Sequence, residues 1–337
     1  MRCSKKNAAQ AEKASFSEAS MRPPVPVICI IGGPTAVGKS AIACAVATKL
    51  RGEIVSADSR LFFRELEIGT DKPPAVIRAS IPHHFIDICS ITETFSVHDF
   101  AQQAHSLVSA LTASGRCPVI TGGSGLYLRA LARGLFDLPE DARDRIPSIR
   151  RTLEERTTED MRQQLMRIDP ETAVRLHPND RMRIRRALEV FLATGTPLSV
   201  WQKTRQNTVG RFGRVVSLVL HRPRDILRER IRRRVHNMLA AGWVDEVKRL
   251  RDAGLSRYIR EKAPIGYADI LDALEGNADF QGLEERIEAR TWLLARRQIA
   301  WFKRDTADWL DIKEETEEMV AQHIVRLVRS AASPPPA

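Results

Sequence analysis

The sequence predicts an α/β protein, a P-loop parallel sheet with helices on both faces and a helical insertion, and three observations carry that expectation. Apolar runs alternate with helical stretches as far as Leu138. The loops that carry polar chemistry follow strands, where open parallel sheets bind their ligands. A glycine-rich turn, Gly33-Pro34-Thr35-Ala36-Val37-Gly38-Lys39-Ser40, links the first strand to the first helix and fits G-x-x-x-x-G-K-[ST].

The elements follow in order. The run from Val27 to Ile31 reads as a buried strand, and the alanine-rich stretch from Ser40 to Leu50 as a helix. Residues 53–56 form a second strand that ends just before Asp58. The stretch from Phe100 to Ala113 reads as a helix, and 118–121 as a third strand leading into Gly122-Gly123-Ser124-Gly125. From Pro139 the chain turns rich in Arg and Glu. Within it Ile184, Ala187, Leu188, Phe191 and Leu192 recur at helical spacing, with Asn179 or Asp180 as cap and Gly195-Thr196-Pro197 as stop. The β-type run 215–220 then returns the chain to the first sheet, which makes 139–213 an insertion. Helices are expected over 231–250, 265–274 and 283–304. The resulting division is a tail at 1–24, a P-loop core at 25–138, the insertion at 139–213, a return strand with basic helices at 214–330, and a tail at 331–337. Met21 is a second possible start.

Composition narrows the function. Formal net charge is +11 and 43% of residues are hydrophobic, which suits a globular protein with an acidic partner. No apolar run approaches the roughly 20 residues of a membrane span. The first 24 residues lack the apolar core of a secretory signal. Five cysteines show no C-x-x-C pair and no zinc spacing with histidine, and Cys29 and Cys44 read as small core residues.

The P-loop carries the strongest chemistry. Gly33 and Gly38 let backbone amides turn toward an anion, and the helix that follows adds its positive end. Lys39 neutralises phosphate oxygens and the Ser40 hydroxyl is a Mg²⁺ ligand. Asp58, just beyond a strand, is either a base or water-mediated Mg²⁺ ligand, or a helix N-cap. His83, His84 and Asp87 are too few for a metal site and read as loop packing. Ser124 in the second glycine-rich loop faces the same ligand as Lys39. Two basic helical faces stand out: Arg183 and Arg186, and Arg286, Arg290, Arg297 and Arg304 with Trp292 and Trp301 interleaved. Such faces are either solvated surfaces or single-stranded RNA grips with stacking aromatics.

Taken together, "GGPTAVGKS", "VSADSRLFFRELEIGTDKP", "PHHFIDI", "PVITGGSGLY", "HPNDRMRIRRALEV", "RIRRRVHNML", "GWVDEV", "PIGYADI" and "RTWLLARRQIAWFKRD" resemble the tRNA dimethylallyltransferase family, in order, over roughly residues 26–305. The resemblance implies transfer of a dimethylallyl group from dimethylallyl diphosphate to N6 of adenosine 37 beside the tRNA anticodon. It implies Mg²⁺ as cofactor, with the P-loop residues Gly33, Pro34, Thr35, Ala36, Val37, Gly38, Lys39 and Ser40 on phosphate. By the same match Asp58 is the general base, Ser124 the hydroxyl near the leaving oxygen, and Arg224 an arginine near the diphosphate. Asp58, Ser59, Arg60, Leu61, Ser124, Arg143, Met182, Arg183, Ile184, Arg185 and Arg186 match tRNA contacts on the anticodon stem-loop. A monomeric bacterial enzyme of the cytoplasm is expected, with no membrane partner.

The sequence departs from the family pattern at Phe63, where Tyr is common, at Leu61, where Gln is frequent, and at Ser124, usually Thr. Both changes near Asp58 alter hydrogen bonding beside the target base. A prenyltransferase acting on free AMP or ADP, or a P-loop small-molecule kinase, are the alternatives. The arginine-bearing insertion and basic helices argue against the former, and ATP consumption tests the latter.

Overall fold

The computed structural model describes residues 25–136, 138–204, 212–305, 307–313 and 315–333. The segments 1–24 and 334–337 of the expected tails lie outside them. The strands are β1 (Val27–Gly32), β2 (Glu53–Ser56), β3 (His83–His84), β4 (Pro118–Gly122), β5 (Arg214–His221) and β6 (Asp308–Asp311). They form one sheet in the order β3-β2-β4-β1-β5-β6, with every pairing parallel. β1, β2 and β4 are buried along their whole length, as central parallel strands covered on both faces are, including the polar Glu53, Ser56 and Thr121. The expected fold class is therefore the observed one.

By packing, the chain forms two compact units. One holds the sheet and comprises the described residues up to Thr94, Leu107–Gly125 and those from Phe212 onward. The other comprises Phe95–Ser106 and the described residues from Leu126 to 204. Its core gathers Leu153, Met161, Leu165, Ile184 and Leu188, with Leu138 and Phe136 packed in. That unit thus begins before residue 139. Composition changes where Arg and Glu accumulate, whereas compactness follows the apolar side chains, and those continue back through Leu138.

Two other expectations are corrected, and one strand is an addition. The stretch 231–250 is two helices, Arg224–Ala240 and Trp243–Asp252. Gly242 between them takes φ 94°, a left-handed conformation that suits glycine. Ala331 and Ala332 belong to the helix Glu317–Ala332 rather than to a tail. The edge strand β6 had no clear signal, because an Asp-Trp-Leu-Asp segment lacks a continuous apolar run. The helix Arg181–Thr194 has the caps expected of it: Asp180 accepts from Arg183 N, and Gly195 closes the end at φ 73°.

Candidate active site and nucleic-acid interface

The P-loop leaves β1 at Gly32 and enters the helix Lys39–Leu50. Gly33 takes φ 145°, and a Cβ there would lie 2.8 Å from the Leu220 carbonyl oxygen of β5. Gly38 takes φ 109° at the helix N-cap. Three carbonyls of the loop are held by cations. Lys39 Nζ donates to Pro34 O at 2.7 Å, Arg230 Nε to Ala36 O at 2.8 Å, and the buried Arg222 Nε to Val37 O at 3.1 Å. The opening amides of the helix have no intrahelical partner, so they are the donors the loop offers an anion.

A cavity of about 610 Å³ opens at this loop, lined among others by Lys39, Ser40, Asp71, Arg230, Arg233 and Arg234. Arg234 donates to Thr35 Oγ1 at 2.8 Å and pairs with Asp71 at 3.4 Å. Arg230 also pairs with Glu317 at 3.3 Å. Burial pushes the Lys39 ammonium down to about 8, and the Asp58 carboxylate opposes that shift while Arg234 adds to it. The wall is strongly cationic and suits a compact polyanion such as diphosphate.

Asp58 follows β2 and Ser124 follows β4, and these strands are adjacent in the sheet. The ends are close-packed: Ala57 N donates to Thr121 O at 2.7 Å, and a Cβ on Gly122 would lie 2.3 Å from Ala57 O. Asp58 does not cap a helix. It opens a turn in which Leu61 N donates to Asp58 O at 3.1 Å and Arg60 N to its Oδ1, also at 3.1 Å. The half-buried Ser124 immediately precedes the helix Gly125–Arg133. The glycines around it are explained by close packing. Cβ atoms at Gly123 and Gly125 would meet Gln298 at 2.5 Å and Trp301 at 2.2 Å.

Arg224 is placed differently from expectation. It is exposed, lies 5.4 Å from the centroid of the Trp292 ring, as Arg228 does at 5.6 Å, and does not line the Lys39 cavity. Arg230, Arg233 and Arg234 line it instead. Their signal was present in "RIRRRV", where spacings of three and four put all three on one helical face. Trp292 and Trp301 are likewise engaged within the fold, Trp292 under two arginines and Trp301 against Gly125. They are not an open stacking platform.

For Mg²⁺, the donor set is sparse. Among the described residues no group of three His, Cys, Asp or Glu side chains could hold a metal ion. The exposed Ser40 hydroxyl and the Asp71 carboxylate share the cavity with Lys39. This fits an ion that keeps several waters and arrives with phosphate oxygens, as Mg²⁺ does. His84 pairs with Glu53 at 2.6 Å, and Asp87 holds Lys72 and Arg78, each at 2.5 Å. His83 and His84 form the edge strand β3 rather than a loop, and the partners of His84 and Asp87 are packing contacts.

The family model described as IPP transferase matches residues 61–305. A tRNA dimethylallyltransferase of Thermotoga neapolitana is 40% identical over 89% of this chain and 98% of its own length. The chain belongs to the IPP transferase family. A second member, tRNA dimethylallyltransferase 1 of Trichlorobacter lovleyi, is also 40% identical, over 86% of this chain and 95% of its own. The crystal structure of the full-length tRNA isopentenylpyrophosphate transferase of Bacillus halodurans matches with a TM-score of 0.64 at 30% identity, covering 91% of this chain and 96% of that one. A eukaryotic dimethylallyltransferase captured acting on tRNA matches at a TM-score of 0.70 and 26% identity, covering 86% of this chain and 74% of that one.

For an IPP transferase, the residues matched to tRNA contacts sort into three groups. Met182 and Arg183 are open to solvent, the Met182 residue 74% exposed and the Arg183 side chain 71%. Arg185 and Arg186 are tied to the buried Glu189, at 3.4 and 3.3 Å, a carboxylate that also accepts from Arg150 at 2.8 Å. Ile184 is buried at 1% exposure in the core of the helical unit and cannot touch a partner. The helical spacing already put Ile184 on the apolar stripe; only its place in a continuous sequence motif set it among the matched contacts. Arg143 Nε donates to Leu138 O at 2.8 Å, and Arg143, Arg183 and Arg186 line one cavity of about 590 Å³ in this unit. In the sheet unit Arg60 is exposed and donates to Lys262 O, while Ser59 and Leu61 are half-buried in the turn after Asp58. On the helix Leu283–Phe302 Arg290 pairs with the buried Asp269 at 2.9 Å and Arg286 donates to Gln281 O at 2.8 Å, whereas Arg297 and, just past the helix, Arg304 are exposed. No helix among the described residues is long and apolar enough to cross a membrane.

Proposed function

We propose that this chain transfers a dimethylallyl group from dimethylallyl diphosphate to N6 of adenosine 37 of tRNA, releasing diphosphate, as a monomer in the cytoplasm. The observation that supports the reading is that the segments bearing Lys39, Asp58 and Ser124 leave the carboxyl ends of the neighbouring strands β1, β2 and β4, with the Asp58 carboxylate acting on the Lys39 ammonium. Membership of a family whose members bear the name tRNA dimethylallyltransferase supports it.

The chemistry follows from the residues. An adenine amine is a poor nucleophile because its lone pair is delocalised into the ring. Asp58, hydrogen-bonded to that amine, takes its proton as the C–N bond forms, help worth ~10²–10⁴-fold. The allylic C–O bond breaks and its electron pair leaves on diphosphate. The helix amides, Lys39 and Arg234 stabilise that growing charge, which is where preorganised donors act most strongly. Ser124 donates to the departing oxygen. Bound Mg²⁺, held by Ser40 and the phosphate oxygens, would supply further neutralisation of the leaving group. Exposed Arg183, Arg60, Arg297 and Arg304 contact the anticodon stem-loop backbone, and such contacts offset the few kcal/mol needed to unstack the target base.

Incubating the protein with dimethylallyl diphosphate and unmodified tRNA, then digesting to nucleosides, should yield adenosine carrying one five-carbon prenyl group by mass. Steady ATP hydrolysis or phosphoryl transfer without any prenylated nucleoside would overturn the reading in favour of a kinase. Prenylation of AMP at rates matching tRNA would overturn the assignment of acceptor.

A further inference from the structure

We infer that Gln298 is a positioning residue, whose carboxamide sets the P-loop against the loop that carries Ser124. The inference rests on the prenyl-transfer reading and goes beyond it, because the stretch "ARRQIAWF" was read from sequence only as a basic face.

The contacts are specific. Gln298 Oε1 accepts from Thr35 N at 2.8 Å. Its Nε2 donates to Gly123 O at 3.0 Å. The parallel pairing of β1 with β4 ends at Gly32 and Gly122, and one residue further on the Gly33 carbonyl oxygen still lies 3.6 Å from where a Cβ on Gly123 would sit. A carboxamide has the same donor and acceptor as a peptide group. Gln298 therefore supplies one further rung, in side-chain form, beyond the last backbone pair of the two strands. It arrives from the half-buried face of the helix Leu283–Phe302, with Trp301 one turn on, packed against Gly125.

Two consequences follow for the site. The Thr35 amide is committed to Gln298, and Pro34 has none, so the anion cradle is built from the amides that come after them. Beyond the backbone pairing, the one side chain that bridges that cradle's loop to the loop of Ser124 with hydrogen bonds at both ends, among the described residues, is Gln298. Gly123 is required for it, since a Cβ there would lie 2.5 Å from Nε2 with no other atom closer than 3.5 Å. A merely structural glutamine would tie the helix to either loop. This one ties the two reacting loops to each other.

The test compares wild type with Gln298→Ala, Gln298→Glu, Gly123→Ala and the double variant Gln298→Ala/Gly123→Ala. Each is measured for single-turnover prenyl transfer to tRNA, KM for dimethylallyl diphosphate, binding of inorganic diphosphate, and thermal midpoint. Gln298→Ala should slow transfer by about 10²-fold, the cost of a misplacement near 1 Å, with diphosphate affinity changed by less than about tenfold, the worth of one or two disturbed hydrogen bonds. Gln298→Glu keeps the acceptor for Thr35 N but turns an oxygen toward Gly123 O, so it should be at least as slow. Gly123→Ala should be slow on its own yet add nothing to Gln298→Ala, because the methyl then has room. Transfer at the wild-type rate by Gln298→Ala, or losses at 123 and 298 that multiply, would overturn the inference. Loss confined to thermal midpoint, with kcat intact, would overturn it as well. A wild-type chain that binds diphosphate but transfers nothing overturns the prenyl-transfer reading itself, an outcome distinct from wild-type transfer matched by the variants.

Discussion

Lys39 donates to the carbonyl of Pro34, five residues back in its own loop, at 2.7 Å. The P-loop lysine is thereby preorganised beside the helix amides rather than extended into solvent. The same burial that preorganises it lowers its ammonium to about 8.

That value fixes a pH dependence. Below pH 8 Lys39 is charged; above it, neutral. A bound diphosphate favours the charged form and raises the value again, so binding takes up a proton between about pH 8 and the ordinary lysine range near 10.5. Diphosphate affinity should therefore fall as pH rises through that window, by up to about tenfold per pH unit. Calorimetry in buffers of different ionisation enthalpy would detect the proton uptake. Lys39→Arg should abolish it, and a flat affinity up to pH 10 in the wild type would reject the assignment. Stability has the opposite slope. The folded state binds fewer protons than the unfolded one in this window, so this group's contribution rises with pH.

Asp58 is next to be tested. Asp58→Asn preserves the turn, since the amide oxygen can still accept from Arg60 N, now at 3.1 Å. What it loses is the proton acceptor. Single-turnover transfer should fall by at least ~10²-fold, with tRNA affinity nearly constant. Normal turnover by Asp58→Asn would leave Asp58 with only its role in the turn.

Much of this was legible in the sequence, for identifiable reasons. The P-loop, Asp58 and Ser124 were visible because strand ends are marked by apolar runs and a parallel sheet collects its loops on one edge. Arginine roles were not. A cation three or four residues from another looks the same whether it faces solvent, a buried carboxylate or a cavity, so the sequence did not show that Arg224 packs on Trp292 while Arg234 lines the Lys39 cavity. Gln298 carries no compositional signal, since its contacts are more than 170 residues away in the chain. Trp301 read as a stacking surface because sequence shows an aromatic but not the glycine opposite it.

The arginines proposed to face tRNA can be separated by experiment. Arg183 is 71% exposed and pairs only with its neighbour Asp180 among the described residues, at 3.3 Å. Arg183→Ala should lower the slope of log K against log salt for tRNA by roughly 0.7–0.9 and leave folding unchanged. Arg186→Ala should also destabilise the protein, because it removes a partner from Glu189, which is 1% exposed. Filter binding across a salt series, with urea unfolding alongside, distinguishes them. Equal salt slopes for wild type and Arg183→Ala would return this helix face to the solvent.

Glu246 governs the opposite wall of the Lys39 cavity. Its carboxylate is 4% exposed and accepts from Ile68 N at 2.7 Å, Glu67 N at 3.3 Å and the Tyr267 hydroxyl. Burial, and then the adjacent Glu246 charge, push the Tyr267 phenol up, so it stays a donor at any working pH. The held segment runs on to Asp71, the partner of Arg234. Trp243 locks the arrangement, because Cβ atoms at Gly69 and Gly266 would lie 2.1 and 1.9 Å from its ring. Glu246→Gln has the same shape but replaces one acceptor by an amide facing backbone donors. At least one buried donor then loses its partner, at about 1–3 kcal/mol, read by urea unfolding. With residues 67–71 loosened, Arg234 loses its brace and KM for dimethylallyl diphosphate should rise before kcat falls. Tyr267→Phe removes one donor and leaves the two backbone bonds, so it should cost less stability and leave KM near the wild-type value. Should Glu246→Gln match wild type in both urea midpoint and KM, the carboxylate would have no part in shaping the cavity.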